Sequence, residues 1–183
     1  MGWGAAVDAF IPLIPVTGDD LSNGLSITGE YSRGTGVADL YLTLNGGVLF
    51  PALPNPKNVL PAPAYTPNID QGIVTYDANG VLHTIDWQGW MVNGHYNFPF
   101  NKGKLLSLSG TYSEIRSSNA VALTPLQGQA FVWDKGRYFD GTLWWSITPA
   151  FQMCASGQWN QQTLGDGTKA NNYRAQVGWW FFF

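Results

Sequence analysis

Residues 171–183 read NNYRAQVGWWFFF. Every second residue, Tyr173, Ala175, Val177, Trp179, Phe181 and Phe183, is apolar, while Asn172, Arg174, Gln176 and Gly178 interleave before Trp180 and Phe182. Strand side chains point alternately to opposite faces, so a period of two defines a strand with one wholly apolar face. Six stretches upstream repeat it, along Trp3 to Leu13, Leu25 to Tyr31, Trp90 to Phe98, Leu106 to Tyr112, Phe139 to Ile147 and Phe151 to Trp159. No stretch carries a helical period of similar quality, and the chain reads as all-β.

Alternation alone does not say whether the apolar face is a core or a surface in lipid. A soluble ligand-binding barrel turns it inward; a membrane barrel turns it outward. Three features favour the second. Charged residues are 11% of the chain, against roughly 25% in soluble domains, and the polar face is Ser, Thr, Asn, Gln and Gly rather than the Lys and Glu that usually blunt exposed sheets. On the apolar face, Phe151 and Trp159 stand eight residues apart, as do Tyr173 and Phe181. At about 3.3 Å per residue and a tilt of about 40°, that spacing rises roughly 20 Å, close to the separation of aromatic girdles across an apolar band. Finally, short connections, PVTGDD (Pro15 to Asp20), NKGK (Asn101 to Lys104) and TP (Thr148 and Pro149), alternate with longer ones over 34–83, 117–136 and LGDGTKA (Leu164 to Ala170). Membrane barrels alternate periplasmic turns and extracellular loops in this way.

The ending QVGWWFFF resembles the C-terminal signature of Gram-negative outer-membrane β-barrels, with Gln176, Gly178, Phe181 and Phe183 at its four positions. The wider layout is similar to the C-terminal half of a large porin. The resemblance implies an antiparallel, up-and-down transmembrane barrel in the bacterial outer membrane. It also implies recognition of the terminal strand by the barrel assembly machinery, and pairing of that strand with the first to close the ring. Seven strands, with the last running from outside to periplasm, put the start of the first at the outer surface. Bacterial single-chain barrels have even strand numbers, so the expectation is a segment of a larger barrel, completed by upstream strands or by other copies in a homo-oligomer.

The expected function is a water-filled channel for passive diffusion of small polar solutes. Its wall would carry Asp8, Glu30, His95, Asp140 and Arg174, with Ser107, Ser109, Gln158 and Gln176 among the neutral positions. Both charge signs occur there, so no strong ion selectivity is expected. The alternatives are a non-conducting barrel serving as anchor or scaffold, and a soluble ligand-binding barrel. The 34–83 segment, with Pro51, Pro54, Pro56, Pro61, Pro63 and Pro67, either folds into the lumen or forms a lid above it; its Asn79-Gly80 pair signals a type I′ hairpin. Glu114 and Arg116 share the apolar parity of Leu106 and Leu108, but come late in their strand, above the bilayer.

Other functions find little support. A net charge of -3 offers no basic patch for nucleic acid. His83, His95 and Cys154 lack metal-ligand spacing, Ser109, His95 and Asp8 sit in no nucleophile-elbow motif, and neither an enzyme nor a cofactor is expected.

Overall fold

A computed structural model describes residues 2–37, 74–77, 79, 81–124 and 132–183. Among these residues nine strands and a single helical turn form in chain order: β1 (Trp3–Ile14), β2 (Leu25–Thr35), β3 (Val74–Tyr76), β4 (Leu82–Thr84), β5 (Asp86–Asn97), β6 (Leu106–Ser117), α1 (Ala120–Leu123), β7 (Trp133–Thr148), β8 (Phe151–Leu164) and β9 (Lys169–Phe181). Seven of them make one sheet in the order β1-β2-β5-β6-β7-β8-β9, with β3 and β4 as a separate pair. Every pairing in the large sheet is antiparallel. The architecture is therefore an all-β, up-and-down meander. It is not closed: among the described residues, β1 and β9 each pair on one side only.

The strands carry the expected faces, and register joins them into continuous rows. Val92, Tyr112, Phe139, Trp159 and Tyr173 face one another in turn across β5 to β9. Eight residues along, Phe151 pairs with Phe181, ring centroids 4.7 Å apart. The two eight-residue spacings thus come together as two aromatic rows on one face.

Exposure in the middle of the sheet is inverted relative to a soluble protein. On the apolar face Leu143 is 41% and Trp145 48% exposed, while on the polar face Thr142 is 6% and Ser156 8%. A sheet curving towards its polar side produces this difference. The apolar side chains that would build a soluble core form instead a broad exposed surface, a kind of patch that monomeric soluble proteins keep small.

One small apolar cluster exists on the polar side, at the end where the long connections leave. Ile85, Trp87 and Ala120 are buried there, with Ile115, Val132 and Trp133 packed around them. Asn119 ties it together, its Oδ1 accepting from Asp86 N at 2.8 Å and its Nδ2 donating to Thr84 O at 3.1 Å. The described part of 117–136 therefore folds over the polar face rather than away from it.

Two expectations change. Asp77 N donates to Val81 O, and Tyr76 stands opposite Leu82. The bond leaves three residues between Asp77 and Val81 rather than the two of a type I′ turn, and the Asp77 carboxylate closes the turn by accepting from Asn79 N and Val81 N, both at 2.9 Å. Strict alternation of connection lengths also fails. Pairing of β8 with β9 continues to Thr163 and Lys169, so Leu164, Lys169 and Ala170 of the LGDGTKA segment are strand and only 165–168 connect. The connections 15–24 and 98–105 at the other end are longer. Those two interlock, Leu21 N donating to Lys102 O at 2.9 Å. Gly103, at φ +72°, passes so close to Leu21 that a side chain would collide with its backbone.

Candidate functional site

The polar face is the candidate site, and register places every expected wall residue on it. Asp8 stands opposite Glu30, and their row continues through Met91, Ser113, Tyr138, Asn160 and Asn172. One step along, Thr28, Asn93, Thr111, Asp140, Gln158 and Arg174 form the next row. The third holds Ser26, His95, Ser109, Thr142, Ser156 and Gln176, and Ser107 lies in the fourth, opposite Asn97 and Trp144.

Charge on this face is sorted by strand. The acids Asp8 and Glu30 lie together on β1 and β2, whereas Arg174 lies on β9 at the opposite edge, two strands from Asp140. Between them the face carries Asp140 among mainly neutral side chains that hydrogen-bond to one another. Asn93 Nδ2 donates to Thr111 Oγ1 at 2.9 Å, Thr142 Oγ1 to Asp140 Oδ2 at 3.0 Å, and Trp144 Nε1 to Ser109 Oγ at 3.1 Å. His95 Nε2 lies 3.2 Å from Asn97 Oδ1. Such a surface offers donors and acceptors of either sense.

Ser109 faces His95 directly, but Asp8 lies two rows away on β1. Nothing gathers the three, and Ser109 already accepts from an indole. Tyr138, Asn93 and Thr111 lie on the polar face as fully as the expected residues; their parity was readable in sequence, their neighbours across strands were not.

The terminal signature divides between faces. Gln176 and Gly178 lie on the polar side, where Trp180 covers Gly178 and packs against Trp144 with centroids 5.5 Å apart. Phe181 and Phe183 have the opposite parity. Pairing continues past the end of β9, Phe182 N donating to Ala150 O at 2.9 Å.

In fold the chain is similar to the outer membrane channel DcaP of Acinetobacter baumannii, seen in a crystal structure, with a TM-score of 0.63 and 12% sequence identity. The likeness covers 99% of this chain and 41% of that one, so this chain spans well under half the length of the channel it matches. At that identity it is the fold that is shared. No family model matches the sequence, and no curated protein does.

Proposed function

We propose that this chain forms part of the wall of an outer-membrane, porin-like channel through which small polar solutes diffuse passively. The reading rests on one observation above all: the sheet shelters Ser, Thr, Asn and Gln on one face and exposes Trp, Phe, Leu and Val on the other. In water this arrangement is inside out. In a bilayer, with water on the polar side, it satisfies both faces. A fold shared with an outer membrane channel agrees with it. The missing part of the ring would come from further strands or from other copies, and terminal-strand recognition by the barrel assembly machinery belongs to the same reading. Reconstitution in planar bilayers tests it: discrete conductance steps with weak ion selectivity are expected. Insertion as heat-modifiable protein without conductance would favour a non-conducting anchor instead, a reading that draws on the apolar cluster around Trp87 on the polar side. Folding in water without detergent would overturn both.

A further inference from the structure

The outer, apolar face carries charge at one end only, and basic residues outnumber acidic ones there by five to two. On four strands the outward residues two or four positions beyond the aromatic, towards the long connections, are basic. Arg33 follows Tyr31, Arg116 follows Tyr112, Arg137 and Lys135 precede Phe139, and Lys169 precedes Tyr173. Register makes them neighbours: Arg33 stands opposite Gln88, Gln88 opposite Arg116, Arg116 opposite Lys135, and Thr163 between Lys135 and Lys169. Five of the nine Lys and Arg residues of a chain with net charge -3 thus collect on this rim. Facing them are Glu114, which accepts from Arg137 Nε at 2.9 Å and lies 3.9 Å from Lys135 Nζ, and Asp86 one row further out. Arg33, Arg116 and Lys169 have no carboxylate partner among the described residues. At the other end, the outward residues Trp145, Met153, Trp179 and Phe181 carry no charge.

The rim also has a hollow. A cavity of about 340 Å³ opens on the outer face between Tyr31, Gln88, Trp90, Glu114 and Arg116. The Gln88 amide lies against the Arg116 guanidinium at its edge, and with the amide turned so that its oxygen faces Arg116 it accepts from Nε and from Nη2 at 2.7 Å. Trp90 packs against Tyr112, centroids 5.3 Å apart, and floors it with aromatic surface. Apolar below and cationic above, the hollow matches an amphiphile rather than a soluble anion.

We propose that this rim binds the phosphate groups of anionic lipid, Arg116 with Arg33 holding a headgroup at the hollow while its acyl chains run down the outer face past Trp90 and Val92. The inference rests on the membrane reading above and adds a lipid preference at one end of the barrel. Arginine forks suit phosphate oxygens, and each cation near an anionic surface strengthens attachment about fivefold.

The test uses the complete protein folded in detergent micelles containing equal amounts of phosphatidylcholine and phosphatidylglycerol with identical acyl chains, with retained lipid counted by native mass spectrometry. Preferential retention of phosphatidylglycerol is expected. The variant Arg33→Gln/Arg116→Gln/Lys169→Gln should weaken it by roughly a hundredfold, and Lys169→Gln alone, at an exposed position, by about fivefold. Heat-modifiable migration verifies folding of each variant, and Lys169→Gln decides if the triple variant does not fold. Equal retention of both lipids, or an undiminished preference in folded variants, overturns the proposal. Displacement of the lipid by an equal concentration of inorganic phosphate would make this a soluble-anion site and also overturn it. Protein that inserts and conducts without discriminating between lipids refutes only this inference; protein that fails to insert refutes the membrane reading with it.

Discussion

Two glycines in neighbouring parts of the sheet have different reasons to be there. A methyl group on Gly178 would lie 3.0 Å from Trp180 Cη2, whereas at Gly141 it would meet nothing within 4 Å. Gly178→Ala should therefore tilt the Trp180 ring off its stack with Trp144 and lower stability by about 1 kcal/mol. Gly141→Ala should be neutral or stabilise by up to about 1 kcal/mol, through loss of unfolded-state freedom. Urea midpoints of refolded protein in detergent compare the two, and equal effects would contradict the packing argument. Asp77 makes a different prediction. The amide of Val81, and after it the imidazole of His83 and the amide of Asn79, hold its carboxyl below the ordinary value. A depressed folded value means stabilisation is complete above the unfolded carboxylate range and is lost as pH falls through the folded one. The β3–β4 hairpin should loosen in acid, seen as faster hydrogen exchange at the Val81 amide, and Asp77→Asn should flatten that dependence.

Strands were the most legible elements, since a period of two needs no knowledge of neighbours. All seven in the large sheet match alternating stretches, though all but β1 reach several residues further than the pattern towards the long connections, β5 to Asp86 and β7 to Trp133 among them. Their added ends carry Trp87, Arg137 and Lys135, where the polar face turns apolar and the apolar face turns charged, which ends the alternation before the strand ends. The β3–β4 hairpin shows the opposite case: the Asn79-Gly80 pair marked a turn, but a side chain three-dimensionally placed, Asp77, set the register. Cysteine substitution tests the faces. Ser107→Cys, Ser109→Cys, Gln158→Cys and Gln176→Cys should react with water-soluble thiol reagents. Leu106→Cys, Leu108→Cys, Trp159→Cys and Val177→Cys should resist them and react with membrane-confined probes. Reversed accessibilities would mean a soluble barrel.

The seven-stranded sheet is not closed among the described residues. Six antiparallel pairings leave β1 and β9 running the same way, so direct contact would make a parallel seam in an otherwise alternating sheet. Unpaired backbone groups in hydrocarbon cost several kcal/mol each, so the proposed membrane setting requires a pairing partner at each edge. Expressed by itself, this chain should give no heat-modifiable monomeric pore; recovery of one would refute that requirement. Within such a ring the end of β9 bears much weight: Phe181 stacks on Phe151, and the pairing runs on through Phe182. Changing Phe181 and Phe183 to serine should abolish membrane assembly, read as loss of the folded band on unheated gels. Normal folded levels would sink the idea.

Period and composition were enough to determine an all-β chain with one polar and one apolar face per strand, because strand parity is a local property of consecutive residues. The polar parity of Asp8, Glu30, His95, Asp140 and Arg174 belonged to that same local information. What lies beside what did not. The separation of Asp8 and Glu30 from Arg174, the Ile85–Trp87–Ala120 cluster and the basic rim on the outer face depend on register between strands. Register is fixed by turns and cross-strand packing among residues distant in sequence, so only the tertiary structure decided them.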